Sequence, residues 1–259
     1  MTFDLHIGID YSGRETPTSR TPALQVYAAC DELPRRILSP SSTEKSCRNW
    51  CRKDIAEWLI EQAQKNITVI AGIDHGFSFP ISYFDRYNLR SWSQFLDDFC
   101  RHWPTDDDHT YVDFIRHRED GPPDRTGEPT DLRLTEKWTS SAKSVFKFDV
   151  QGSVAKSTHA GLPWLRRIRV QVGDKVHFWP FDGWEVPGDK SVIAEIYPAI
   201  FKNRFPREGR TADQQDAYCV ARWLTETDER GFLARYFQPS LTEEEQNIAD
   251  LEGWILGIM

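Results

Sequence analysis

Apolar residues along this chain fall into two spacings. Leu5-His6-Ile7-Gly8-Ile9-Asp10 and Thr68-Val69-Ile70-Ala71-Gly72-Ile73-Asp74 are short, nearly continuous apolar runs of the kind that form buried strands, and each ends in a carboxylate. The first strand covers about residues 3–10 and leads into a polar turn, Tyr11-Ser12-Gly13-Arg14, and a loop rich in Thr and Pro. Leu24, Val26 and Tyr27 give residues 23–29 the character of a second strand, and Arg36-Ile37-Leu38 supplies a short third. Helical spacing takes over at Trp50, Ile55, Trp58, Leu59 and Gln62, which predicts a helix from a cap at Ser42 or Thr43 to about Lys65. The run 68–74 is the next strand, closed by the turn His75-Gly76-Phe77-Ser78-Phe79-Pro80.

Trp92, Phe95, Leu96 and Phe99 share one side of a helix from about Arg90 to Trp103. From Pro104 to Arg133 the pattern dissolves into Asp106-Asp107-Asp108, Gly121-Pro122-Pro123 and Gly127-Glu128-Pro129, an irregular insertion around one short helix. Helical spacing returns from Ser153 to about Val172, where Gly161 and Pro163 are expected to break or kink the helix. His177–Phe181 and Val192–Tyr197 read as strands, the second on the core side; Pro198 opens a short helix, Thr211 a longer one, and residues 240–258 a last one. The expected architecture is α/β, one domain over residues 1–259 with an insertion at about 104–190 and no internal repeat.

Composition narrows the class. The chain has 259 residues, 39% of them hydrophobic, and ten tryptophans, enough for a packed core; a charged fraction of 28% is ordinary for a soluble domain. No apolar stretch approaches the roughly 20 residues that cross a bilayer, and no secretory leader pattern opens the sequence, so no membrane partner and a cytoplasmic location are expected. Five cysteines at irregular spacing argue against a disulfide framework. A net charge of −8 weighs against a tight, non-specific grip on duplex DNA, which calls for a basic face. Two local basic clusters remain: Arg166, Arg167 and Arg169, then Lys202, Arg204, Arg207 and Arg210.

The strand-ending acids change the picture most. A buried strand gains nothing from a terminal Asp unless that group caps a turn, binds a cation or does chemistry, and ligand sites of α/β sheets gather at the carboxyl ends of strands. Asp213 and Asp216 are three apart, on neighbouring positions of one helix face, in a helix that Thr211 and Gln214 can open with a capping box. The helix dipole accounts for Asp213. Asp216 borders the apolar run Ala217, Tyr218, Val220, Ala221, Trp223 and Leu224, a better place for a ligand than for an ornament. Glu195 ends Val192-Ile193-Ala194 and, if buried, needs a cation or an ion pair with an arginine such as Arg210. Carboxylates are hard oxygen ligands suited to Mg²⁺ or Mn²⁺. Two such ions about 4 Å apart activate a water and stabilise the leaving oxygen in phosphodiester hydrolysis. Acids at short range raise one another's pKa, a cost that divalent cations remove.

Taken in order, Ile7-Gly8-Ile9-Asp10, Gly72-Ile73-Asp74 with Pro80, Glu195-Ile196-Tyr197-Pro198 and Asp213-x-x-Asp216-Ala217 resemble an uncharacterised family of predicted nucleases with a ribonuclease H-like fold. The resemblance implies a five-stranded mixed sheet in the order 3-2-1-4-5 with helices on both faces. It puts Asp10 on the central first strand, Asp74 on the adjacent fourth, and Asp213 and Asp216 on a late helix. That layout is similar to the Holliday-junction resolvases of the RuvC type more than to ribonuclease H itself, which takes a Glu from its first helix. The first helix here offers Glu44, Glu57 and Glu61, and no motif chooses among them. The implied function is a nuclease acting on nucleic acid, with two Mg²⁺ or Mn²⁺ ions held by Asp10, Asp74, Asp213, Asp216 and Glu195. Two other readings stand beside it. Ile9-Asp10-Tyr11-Ser12-Gly13 faintly resembles the first phosphate loop of actin-like ATPases and sugar kinases, with Asp74-His75-Gly76-Phe77 as a poor second loop. A non-catalytic binding module on the same fold suits the acidic balance.

Other residues carry weaker signals. His75 follows Asp74 and can position or deprotonate a water, or simply fill a turn. His159 and Lys156 can contact phosphate, and Ser12 and Gly13 can offer it backbone N–H groups. Cys47 and Cys51 stand four apart without a second pair, so a half-buried helix face explains them better than a metal. Trp50, Trp58, Trp92 and Trp223 fall on helix faces; Trp179 and Trp184 are the two within reach of a substrate base.

Overall fold

The computed structural model describes residues 3–30, 32–40, 48–119, 121, 124–139 and 141–259, apart from the side chain of Lys202. Ser42, Thr43, Glu44, Cys47, Pro122 and Pro123 lie outside the described residues. The helix expected from a cap at Ser42 or Thr43 begins only at Arg52, and Trp50, read as lying on its face, instead bridges Thr21 in extended backbone. Six strands form one mixed sheet: β1 (Leu5–Asp10), β2 (Gln25–Ala29), β3 (Arg35–Ile37), β4 (Val69–Asp74), β5 (Val176–Trp179) and β6 (Ser191–Glu195). Their order is β3-β2-β1-β4-β6-β5. The β1–β2 and β2–β3 pairs are antiparallel, and β1–β4, β4–β6 and β5–β6 are parallel. The expected count of five is therefore corrected to six. The run read as a strand from His177 joins the sheet as an outer strand beyond β6, buried along its whole length.

Alternation along the strands sorts the core into two layers. Leu5, Ile7, Ile9, Val26, Ala28, Val69, Ala71, Ile73 and Ile193 point to one side, covered by α1 (Arg52–Gln64) and α6 (Ala155–Val172). Tyr27, Ile70, Val192 and Ala194 point to the other, under α7 (Ala212–Glu229). The same alternation puts His6, Gly8 and Asp10 on the α7 side of β1. Gly8, Gly72 and Ala194 lie in register across three neighbouring strands. A Cβ on Gly8 would come 2.2 Å from the Ala217 carbonyl oxygen and 2.6 Å from the Ala221 nitrogen; one on Gly72 would come 2.8 Å from Val220 Cγ1. Lacking those atoms, the sheet lets the α7 backbone rest directly on it. The helix runs antiparallel to β1. Near its carboxyl end Asp228 Oδ2 meets His6 Nε2 at 2.9 Å and accepts the Phe3 N–H at 2.7 Å, so its amino end lands over Asp10.

On the opposite face α6 is continuous where a break was expected. Pro163 has no N–H for the carbonyl of His159, one turn back, and the Thr105 hydroxyl donates to that oxygen instead at 2.7 Å. Gly161 leaves room for the His75 ring, whose Nε2 would lie 2.5 Å from a Cβ there. Because α6 covers the sheet and β5 belongs to it, the expected insertion at 104–190 is too long. The irregular stretch ends before Ala155 and, among the described residues, carries α4 (Val112–Arg116) and α5 (Leu134–Lys137). Two further helices, α2 (Ile81–Tyr87) and α3 (Trp92–His102), precede it; α2 has no counterpart in the sequence reading, and Tyr83 and Phe84 bury its inner side. After α8 (Leu233–Tyr236), the last helix, α9 (Glu243–Glu252), is shorter than expected, because Gly253 at φ +75° ends it. Leu256 then donates its N–H to the Glu195 carbonyl at 2.9 Å. Among the described residues no helix is long and apolar enough to cross a membrane.

Gly8→Ala is expected to destabilise the protein by about 2–3 kcal/mol, the range for forcing extra atoms into a packed core. Gly188→Ala, where a Cβ meets nothing, serves as the control and stays within about 0.5 kcal/mol in the same urea titration.

Candidate metal centre

Asp10 and Asp74 end adjacent parallel strands and pair in register, so their side chains leave the same face side by side. Above them α7 begins with a full capping box. The Thr211 hydroxyl accepts the Gln214 N–H at 3.2 Å, and the Gln214 side-chain oxygen accepts the Thr211 N–H at 3.1 Å. That cap fixes the first turns, where Asp213 and Asp216 sit, both half-buried like Asp10 and Asp74. Burial pushes the Asp10 pKa well above 3.8, and the charges of Asp74, Asp213 and Asp216 push it further in the same direction. Carboxylates from two other segments thus act on Asp10 at the carboxyl end of the sheet. Among the described residues no group of three or more His, Cys, Asp or Glu side chains is arranged to hold a metal ion. Like charges resist closer approach unless a cation is present. The donor chemistry nevertheless fits one: half-buried oxygen ligands, partly open to water, suit Mg²⁺, which takes one or two carboxylates and keeps several waters.

Glu195 does not join this group. It pairs in register with Ile73, and the alternation that puts Ala194 under α7 turns Glu195 to the α6 side. There Arg133 grips it with two N–H donors, at 2.5 Å to Oε1 and 2.7 Å to Oε2, and Phe77 donates its N–H to Oε2 at 2.9 Å. Arg133 also donates through Nε to Glu136 at 2.9 Å and through Nη1 to the Glu252 carbonyl at 3.3 Å. Burial works against the Arg133 charge, but Glu195 and Glu136 outweigh it and hold the guanidinium protonated. The ion pair considered for Glu195 therefore exists, with Arg133 in place of Arg210.

His75 also differs from its expected catalytic place. Its ring is buried between Tyr11 and Phe77, Nδ1–H donates to the Gly76 carbonyl at 2.9 Å, and Nε2 faces Gly161. Burial pulls its pKa down to about 4, so it is a neutral wedge between the sheet and α6 at ordinary pH. His159 is likewise a core ring among Phe79, Phe99, Trp103 and Phe148, with burial lowering its pKa to about 3. Lys156 is engaged with Asp113. Gly13 has a packing reason: a Cβ there would lie 1.9 Å from the Lys156 carbonyl oxygen, so the turn after Asp10 is pressed onto α6 rather than open as a phosphate loop. Trp179 is fully buried, which leaves it unavailable to a base, and the half-buried Trp184 donates its indole N–H to Asp250 at 2.7 Å.

One residue that sequence reasoning passed over holds the site's floor. Arg52, buried on α1, donates to the carbonyls of Arg14 at 2.7 Å, Glu15 at 2.9 Å and Ser12 at 3.3 Å, fixing the turn that follows Asp10. Its helical position looked like any surface arginine, and only the fold reveals those acceptors. Comparison of the chain with known protein families, curated proteins and solved structures found no match.

The raised Asp10 pKa fixes the sign of a stability effect. A carboxyl that binds its proton more tightly when folded favours the native state below the unfolded value of 3.8, and that contribution is lost as pH rises through the raised folded value. Asp10→Asn removes the charge, so in chelator at pH 7 it is expected to melt a few °C higher than wild type, a shift equivalent to about 1 kcal/mol. The gap should close near pH 4, which a pair of thermal melts checks.

Proposed function

We propose that this chain is a divalent-cation-dependent phosphodiesterase that hydrolyses nucleic acid on a ribonuclease H-like arrangement of strands. The observation that carries the reading is the in-register pair Asp10 and Asp74 at the ends of adjacent parallel strands, with α7 bringing Asp213 and Asp216 to the same end. The sheet order supports it too, since an antiparallel β1-β2-β3 meander precedes parallel β4 and β6. Asp74, Asp213 and Asp216 all act on Asp10, which would be the central ligand of a bound cation, with Asp74 and Asp213 or Asp216 completing the shell. Mg²⁺ or Mn²⁺ supplies an activated water and charge neutralisation at the leaving oxygen when bound. The chain's part is to hold the carboxylates still. Asp10 is fixed by strands on both sides, and the positive end of the α7 dipole faces the cluster. Glu195 contributes from behind, because its bond to the Phe77 N–H holds the turn that follows Asp74.

Cleavage of single-stranded, duplex and branched nucleic acids in Mn²⁺ tests the reading directly. Asp10→Asn is expected to lower the rate about a thousandfold, equivalent to ~4 kcal/mol, while keeping the far-UV spectrum of the wild type. A variant that cuts as fast as wild type removes the assignment. Stabilisation by Mn²⁺ without turnover on any substrate favours the binding-module reading, and stabilisation by ATP alone favours the kinase-like one. Glu195→Gln should cost about 3 kcal/mol in stability, as expected for stripping one partner from a buried ion pair. The same substitution should leave unchanged the Mn²⁺ concentration that half-saturates the melting shift.

A further inference from the structure

Arginines from separate segments gather on the sheet face that carries Asp10. Gln25 lies opposite Asp10 on β2, and Arg36 lies opposite Tyr27 on β3. Arg36 is exposed, and its Nε donates to the neutral side-chain oxygen of Gln25 at 2.9 Å. Arg210, just ahead of the α7 cap, lies over the Tyr218 ring at 3.7 Å from its centroid, and that ring meets Tyr27 edge-on at 5.7 Å. Burial raises the Tyr27 pKa while Arg210 and Arg36 both pull against it, so the two guanidinium groups flank one phenol. Arg204 and Arg207 stand exposed on the turn that leads to α7.

Their pairing sets these arginines apart. On α6, Arg166 meets Asp97 at 2.6 Å, Arg169 meets Asp182 at 2.7 Å and Arg167 faces Glu57 at 3.9 Å. Arg36, Arg204 and Arg207 make no ion pair among the described residues, and Arg210 has only the exposed Glu208 at 3.5 Å. In a chain with 40 acidic and 32 basic side chains, uncompensated guanidinium groups beside a carboxylate cluster are out of balance. Their planar donors match phosphate oxygens. Cations spread along two segments remote in sequence suit a repeating chain of single charges better than one compact anion.

We propose that Arg36, Arg204, Arg207 and Arg210 form a track for the phosphodiester backbone of a nucleic-acid strand, leading it over β2 and β3 and past the start of α7 to the carboxylates. The assignment rests on the reading of those carboxylates as a hydrolytic centre. It also answers a difficulty in that reading, since four acids alone repel a phosphate and flanking guanidinium groups offset the repulsion.

The test is binding of a short fluorescein-labelled oligothymidylate, followed by anisotropy across a salt series. It uses the full chain carrying Asp10→Asn, in EDTA, so that neither cleavage nor a metal enters. Adding Arg36→Gln with Arg207→Gln should weaken binding at least about tenfold and flatten the salt dependence by about 0.7 per lost contact. Arg204→Gln alone should move both in the same direction, while Arg166→Gln with Arg167→Gln should change affinity less than twofold. The substituted side chains are exposed, so melting temperatures should stay within a few degrees of the parent. A parent that does not bind the oligonucleotide overturns the track, as does a 36/207 variant with unchanged affinity and slope or with a loss no larger than that of the 166/167 pair. Loss of Mn²⁺-dependent cleavage as a property of the wild type would sink the hydrolytic reading without touching this result.

Discussion

The seating of α7 on β1 is the contact from which the rest of the molecule follows. Gly8 and Gly72 remove the side chains that would hold the helix off, and the helix backbone fills that space at distances no Cβ tolerates. The His6–Asp228 contact pins the far end, so the helix can neither slide nor lift. Its opening residues are then placed by two rigid elements instead of a loop, which is how positions are held to fractions of an ångström. The arrangement has an electrostatic cost, because it drives Asp213 and Asp216 toward Asp10 and Asp74. Burial of the Ala217–Leu224 side of α7 in the second core layer supplies the compensating free energy.

Two acidic positions on neighbouring strands show how one residue of register decides chemistry. Asp74 ends β4 on the α7 side, and Glu195 ends β6 on the other side. Glu195 is matched by a guanidinium that also serves Glu136 and the Glu252 carbonyl, which ties β6, α5 and α9 into one buried ionic joint. The charges that bear most on Asp10, those of Asp74, Asp213 and Asp216, are negative.

Much of this was legible in the sequence. The apolar runs ending in Asp10 and Asp74, the short strands near 25 and 36, and the capped helix at Thr211 all form where the periodicity puts them. Register was not legible. Glu195 reads as the end of an apolar strand whichever face it occupies, and only its pairing with Ile73 shows the face. The strand at Val176–Trp179 was seen, but nothing local told that it extends the sheet beyond β6. Pro163 and Gly161 signal a break by local rules, and tertiary partners overrule them: the Thr105 hydroxyl at one, the His75 ring at the other. His75, His159 and Trp179 share a lesson, since a polar or aromatic residue near a motif has no direction until the packing is known.

Charge placement, more than net charge, governs what this surface can meet. A total of −8 suggests repulsion of any polyanion, yet at physiological salt exposed charges are screened beyond about 8 Å. An approaching strand therefore feels its immediate neighbours and little else. Beside the α6 arginines it meets groups already neutralised by Asp97, Asp182 and Glu57. Beside Arg36 and Arg207 it meets guanidinium groups whose hydrogen-bond acceptors among the described residues are the Gln25 side chain and the Arg210 carbonyl, both neutral. The carboxylates lie at the end of that path, and a divalent cation bound there would turn the local sign from repulsive to attractive. An acidic protein can in this way be open to a phosphate backbone along one line and closed to it elsewhere.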